Sequence, residues 1–367
     1  MKRKMVSTLL GIALLSAAVS GCGSGASETA GQTAAAQADT LSDDSLTESG
    51  ETEEAAPEGT ETAKEDSTET GFGETEGDQD TGTDGGDVIV TNGGEEIALS
   101  SLEHEDPSSD SVVYFTSEIS PEAMVAMYDA LGDGLTGENI AVKLSTGEPP
   151  ASNYLEPALI ADLVHQVNGT IVENNTAYGG QRAGTAMHYQ VAEDHGFTDI
   201  ADFVVMDENG SVSLPVEGGT QLTENLVGAH FPEYDGYLVL SHFKGHAMAG
   251  FGGAIKNISI GMASQEGKCL IHTAGESHTS PWGGEQDPFT ESMAEAGKSV
   301  VDALVGILAS ADPVALDQAC VDLVYASGDD TAALIERMES RNGVHVLEHG
   351  DEIGLGSRYY RLVNTDE

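Results

Sequence analysis

Residues 235–264 read DGYLVLSHFKGHAMAGFGGAIKNISIGMAS. The stretch opens on the most apolar strand-like run of the chain, 235–243. It passes at once into a window, 241–264, with five glycines, two histidines, two lysines and no acidic residue. The chain around it has a formal net charge of −49. In open α/β sheets ligands lie beyond the carboxyl ends of the strands, where loops expose backbone N–H groups. A strand that empties into a basic, glycine-rich loop therefore predicts both the fold class and the place of a site.

Outward from this stretch, β-rich runs alternate with helical periods. VVYFTS (112–117) reads as a strand, and SPEAMVAMYDALG follows as a helix with Ser120 as N-cap, Pro121 first in the helix and Gly132 as its stop. NIAVKLS, TIVENNT and ADFVVMD read as strands, separated by helices in NYLEPALIADLVHQV and RAGTAMHYQVAEDHG. This rhythm predicts an α/β domain, a mainly parallel sheet flanked by helices, preceded by a long disordered acidic tail. SVSLPVEGG reads as a β-ribbon excursion. After Asp287 the chain reads as helical, with RYYRLV as a last strand returning to the sheet. The domain spans 111–367, with two lobes at about 111–235 and 236–367.

The window supplies the candidate chemistry. His242, Lys244, His246 and Lys256 fall at or just past the strand end. Gly250, Gly252 and Gly253 let backbone approach a ligand closely, and helix-start amides favour an anion. The spacing G-x-G-G-x-x-K is neither a P-loop nor a dinucleotide fingerprint. His272 follows sixteen residues after Lys256. A histidine near a strand end is often only a hydrogen-bonding residue, and Lys244 has a plain reading as a solvent-facing side chain. Lys256, within GAIKNI, is costly to bury alone and calls for an acid partner or a ligand. Asp317, in an apolar helix, is a candidate partner for it or for a histidine. Asp312, before Pro313, reads as a helix N-cap. His278 and Trp282 fall in a loop with the character of a lid, and Glu173 and Asn175 at a pocket mouth.

The N-terminus predicts export. Lys2, Arg3 and Lys4 precede an apolar run, Leu9–Val19, and then Val-Ser-Gly-Cys ending at Cys22. This is the pattern of a lipoprotein signal in which Cys22 carries the lipid, so that the protein is extracytoplasmic and held to a bacterial membrane through that anchor. Residues 23–110 hold 25 acidic residues against one lysine and almost no large apolar side chains, the composition of a disordered, self-repelling tether. The acidity of the rest excludes nucleic acid as a partner. Cys269 and Cys320, the remaining cysteines, admit either a pair or two buried thiols, and with no C-x-x-C neither an iron–sulfur cluster nor a zinc knuckle is expected.

The segments VYFTSEISPEAM, AVKLSTGEP, NYLEPALI, LSHFKGHAMAGFGGAIKNISIGMAS, GILASADPVALDQACVDLV and EIGLGSRYY together resemble the domain of unknown function 362 family over 112–363. Many members carry a ferredoxin-like insert, which this chain lacks. It is also shortened between Ala303 and Gly306, where relatives have an extra strand and loop. A remoter resemblance is to nickel-pincer lactate racemases. That resemblance implies a cofactor-bearing lysine at Lys256, an acid/base histidine at His246 and a nickel ligand at His272. The second acid/base histidine of those enzymes is replaced by Gln181. Arg182 beside it is suited to holding a carboxylate or phosphate.

Three readings follow. The first is an extracytoplasmic enzyme acting on a small anionic molecule through His246 and Lys256, with His242, Gly250, Gly252, Gly253, Gln181 and Arg182 binding and His272 as a metal ligand. The second is a ligand-binding lipoprotein without catalysis. The third is a redox protein that has lost its iron–sulfur module.

Overall fold

The computed structural model describes residues 8–14 and 88–366, apart from 133–134, 136, 150–153, 305–311 and 329–330. Cys22, the acidic stretch up to residue 87 and most of the shortened join after Ala303 lie outside the described residues.

Each β-α step expected after residue 139 is present. Strands β5 (Ile140–Lys143), β6 (Gly169–Glu173), β7 (Phe203–Val205) and β10 (Gly236–His242) pair in parallel in the order β10-β5-β6-β7. A further parallel strand on the outer side of β10, β1 (Thr8–Leu14), comes from the apolar run read as an export leader, in register from Thr8↔Gly236 to Leu14↔His242. Helices α2 (Pro157–Gln166) and α3 (Thr185–Asp194) make the crossovers between β5, β6 and β7. They join α1 (Pro121–Ala130) on one face of the sheet. Alternation sorts the strands between two cores, as a sheet covered on both sides requires. Leu238, Leu240, Val142 and Ile171 pack with Ile160, Leu163 and Val164 of α2, whereas Tyr237, Val239, Ala141 and Val172 enter a larger core on the opposite face. Burying each of the three α2 side chains stabilises the fold by about 1.5–3 kcal/mol.

That larger core is built by six later helices among the described residues: α4 (Ala254–Ile258), α5 (Gln265–His272) through Ile271, α6 (Gln286–Leu304), α7 (Pro313–Ala326), α8 (Ala332–Glu339) and α9 (His345–Glu352). Helix α5 begins at Ser264, whose hydroxyl accepts from the Gly267 amide. The local signals act as read. Ser120 Oγ accepts from the Ala123 amide, and Asp312 Oδ1 accepts from Val314 and Ala315 at 3.0 Å each. The β-ribbon is present as β8 (Ser211–Pro215) against β9 (Glu224–Gly228), antiparallel.

Three expectations are corrected. The last strand, β13 (Arg361–Asn364), does not join the main sheet; it pairs in parallel with β4 (Val112–Phe115), the strand read from VVYFTS. Residues 88–110, assigned to the tether on charge, are folded. β2 (Val88–Val90) and β3 (Glu96–Ala98) form a hairpin that buries Ile89 and Ile97 with Tyr360 and Leu323, because alternate apolar residues hide a face even in acidic sequence. The described part is also one compact unit from Val88 onward, not two lobes divided near 235, because the larger core joins strands from both sides of that point. Cys269 and Cys320 are both free and buried. No helix among the described residues is long and apolar enough to cross a membrane.

Candidate functional site

The chain runs outward through β5, β6 and β7, then returns to place β10 on the other side of β5. The carboxyl ends of β5 and β10 therefore flank the point where strand order reverses, the usual crevice of open α/β sheets. A cavity of about 130 Å³ lies there, walled by Lys143 and Ser145 at the end of β5, Glu173 and Asn174 at the end of β6, and Ser241 and His242, the last two residues of β10. Lys244, His246, Gly252, Gly253 and Lys256 of the window line it too, with Arg182, Lys268 and His272.

The window is more ordered than its glycines suggest. Lys244–His246 (β11) and Gly250–Gly252 (β12) form an antiparallel hairpin, with Lys244 opposite Gly252 and His246 opposite Gly250. Gly250 takes a left-handed φ of +80°, and a Cβ there would lie 2.9 Å from the Gly343 Cα. It serves the turn and the packing of the hairpin and is not among the cavity's lining residues, contrary to its expected role in binding.

Gly253 is required for another reason. A Cβ on it would stand 2.2 Å from Asp317 Oδ1. Asp317 accepts the Ala254 amide at 2.6 Å and the Ile255 amide at 2.9 Å, so a carboxylate from α7 caps the start of α4. The helix-start amides expected to receive a ligand anion are thus occupied by the protein itself. Asp317 is not the acid partner of Lys256 or a histidine. Burial lifts its carboxyl to about 7 against the lowering effect of the two amides.

The two histidines differ in tautomer. His246 Nδ1 lies 3.1 Å from the Ala249 amide and 3.3 Å from that of Met248, so Nδ1 is the acceptor and the proton sits on Nε2. His272 Nδ1 lies 2.7 Å from the Lys268 carbonyl and must donate, which leaves Nε2 as the acceptor. His272 also stacks on Phe289, with ring centroids 4.9 Å apart. Both rings are neutral. Burial, then Lys256 and His272, holds His246 well below its usual value. Burial brings His272 down to about 4. His272 offers one ring nitrogen, and among the described residues no group of three His, Cys, Asp or Glu side chains stands together to hold a metal. The protein supplies one imidazole nitrogen at this point, so His272 would hold a metal only beside donors from another group.

Lysines supply the groups that titrate near neutrality. Lys143, at the end of β5, is 1% exposed. Burial brings its amine to about 7 even though Glu173 opposes the shift, and Lys268, Arg182 and Lys256 add to it. Lys256 is lowered to about 8 by burial and then by Lys244, and Lys268 to about 8 by burial. The Lys256 amine makes no hydrogen bond or ion pair among the described residues, whereas Lys268 Nζ donates to the Ala263 carbonyl. Lys244 lines the cavity rather than only facing solvent, and burial lowers it as well.

One carboxylate lies within this basic set. Glu173 accepts from Arg182 at 2.7 Å and from the Thr146 amide and hydroxyl at 3.0 and 2.7 Å, with His188 Nε2 at 3.1 Å. Burial alone would raise it, but Arg182, His188 and Lys143 outweigh that and hold it well below the carboxylate range. Arg182 also donates to Glu148 at 2.9 Å, so it spans two protein carboxylates. Gln181 is exposed, its backbone amide donates to Glu148, and it does not reach the cavity lining. Asn175 instead bonds Asp207 and Thr185. His278 pairs with Glu266 on the surface, while the exposed Trp282 ring lies 6.5 Å from Tyr178 at the cavity wall. Lys143 and Lys268 were missed in the sequence. A lysine inside IAVKL was the readable signal, since a strand between two apolar cores must bury every side chain it carries.

Comparison with curated proteins finds no match. Among solved structures, the lactate racemase apoprotein from Thermoanaerobacterium thermosaccharolyticum aligns at 17% identity and a TM-score of 0.32, over 59% of this chain. The alignment spans about half, 53%, of the racemase's own length. The family model for DUF362, a domain of unknown function, matches residues 140–305, from the first residue of β5 to just past the end of α6.

Proposed function

We propose that this protein binds a small organic anion in the cavity at the ends of β5 and β10 and acts on it by proton transfer, as a lipid-anchored extracytoplasmic protein. One observation carries the reading. Five basic side chains, Lys143, Arg182, Lys244, Lys256 and Lys268, line a single cavity in which Glu173 is the only lining carboxylate among the described residues, in a chain of net charge −49. Concentrating like charge in a crevice costs free energy that an anionic ligand returns. Arg182 is already neutralised by Glu148 and Glu173, so Lys256 is the cation left for the ligand. His246 is a fixed Nε2–H donor and His272 a fixed Nε2 acceptor, which suits orienting a hydroxy or oxo acid. The cavity is small, which favours a ligand of a few carbons.

A second reading, capture without chemistry, is favoured by His246. Its Nδ1 already receives two backbone amides, so the ring is poorly placed to gain a proton as a base. Calorimetric titration with lactate, malonate, citrate and phosphate at constant ionic strength tests the site. Binding that weakens roughly tenfold in Lys256→Met, about 1.4 kcal/mol, is expected. No anion binding above the chloride background would overturn it. Proton exchange at the α-carbon of a bound acid in deuterated water then separates catalysis from capture.

A further inference from the structure

The Lys143 amine is held in an unusual way for a buried cation. Nζ lies 2.6 Å from the Leu144 carbonyl and 2.9 Å from Asn257 Oδ1, both neutral acceptors, and it makes no ion pair with a carboxylate among the described residues. The Asn257 amide cannot turn to offer its NH2 instead, because Nδ2 donates to the Leu240 carbonyl at 3.0 Å and to Ser241 Oγ at 3.1 Å. A neutral amine has two N–H groups and one lone pair. Two fixed acceptors take both N–H groups, and one tetrahedral position is left for the cavity that Lys143 lines.

We propose that Lys143 is a covalent nucleophile that condenses with the carbonyl of a 2-oxo acid whose carboxylate is held by the neighbouring lysines. The proposal rests on the anion-binding reading above and adds the substrate class. The surrounding positive charge and the lack of solvent keep a large neutral fraction of this amine near pH 7. Lys256, with no acceptor among the described residues, is the ammonium left to meet the carboxylate. In the step itself the nitrogen lone pair forms the N–C bond as the C=O π pair moves to oxygen. One amine proton passes to that oxygen, giving a carbinolamine. A second proton, from a neighbouring lysine ammonium, lets the oxygen leave as water and leaves a protonated imine. No oxidant or metal is consumed.

Sodium cyanoborohydride with pyruvate, 2-oxobutyrate, oxaloacetate or 2-oxoglutarate, followed by peptide mapping of the full chain, reads the outcome. The expected result is a reduced adduct on Lys143, absent from Lys143→Met and retained in Lys256→Met only at higher 2-oxo acid concentration. Lys298, away from the cavity, should stay unmodified under the same conditions. An adduct on Lys256 or Lys268 in place of Lys143, or none with any of the four acids, overturns the proposal. Lactate and malonate, which lack the carbonyl, separate the two claims. If they bind and no adduct forms, the nucleophile assignment fails and the anion site stands. If neither they nor the 2-oxo acids bind, the anion site itself fails.

Discussion

His246 and His272 line one cavity with the same ring nitrogen in opposite roles: the first is fixed by backbone amides as an Nε2–H donor, the second by the Lys268 carbonyl as an Nε2 acceptor. Both assignments follow from the fixed roles of backbone groups, and both rings are buried among cations. Long-range nitrogen–proton NMR should therefore show two neutral rings of opposite tautomer at pH 7, with His272 not titrating between pH 5 and 8 and the His246 transition displaced well below its usual value. A histidine here that carries two protons at pH 7 would contradict the arrangement.

The lysines set the pH response instead. Lys143, Lys256 and Lys268 lie at about 7, 8 and 8 in the folded chain, against about 10.4 when unfolded. Between the folded and unfolded values the unfolded chain binds more protons, so stability of the ligand-free protein rises as pH goes from about 7 to about 10. Anion affinity moves the other way, because deprotonating the lysines removes the attraction. Thermal melts across this range should show the melting temperature rising without ligand and the ligand-induced increment shrinking. Lys143→Met should flatten the lower part of the ligand-free rise. A ligand increment that grows above pH 8 would count against the lysines as the anion's holders.

Much of the frame was readable because strand and helix periods alternate plainly across 139–243, and the helix before them is marked by its cap, Ser120 ahead of Pro121. What failed did so where local pattern gives no information on partners. RYYRLV is a strand, but nothing in it specifies β4 rather than the main sheet. The charge of 88–110 masked the alternation around Ile89 and Ile97. In the site, residue type led to Lys256, His246 and His272. It misplaced Asp317, Gly250 and Gln181, because the roles of an acid, a glycine and an amide are set by neighbours distant in sequence. Lys143 was hidden in a strand counted only for its apolar residues.

Gly253 tests the junction between window and core. Its missing Cβ leaves the room in which Asp317 caps α4, and α4 carries Lys256 and Asn257. Gly253→Ala should displace that carboxylate, destabilise the protein by about 1–3 kcal/mol and weaken anion binding with it. Gly179→Ala is the control, since a Cβ there meets nothing within 4 Å and the backbone is not left-handed. It should stay within about 0.5 kcal/mol of the parent. Denaturant melts of the two variants decide the point, and equal stability would show that the cap can shift without cost.

The leader run and the sheet make competing demands on the same residues. Thr8–Leu14 pairs with all seven residues of β10, ending opposite His242 at the cavity, yet removal of a signal before Cys22 would take that strand away. β10 would then keep β5 on one side and lose its ladder on the other, and only the amides facing β1 would lose their acceptors. Hydrogen exchange on the unprocessed chain and on the chain matured at Cys22 should therefore differ in alternate amides across 236–242, those facing β5 staying protected in both. The mass of the mature N-terminus, measured on the same membrane-derived sample, should show a lipid-modified Cys22. An unmodified Cys22, or an N-terminus that still holds residues 8–14 in the exported protein, would make β1 a permanent strand of the sheet and end the anchoring proposal.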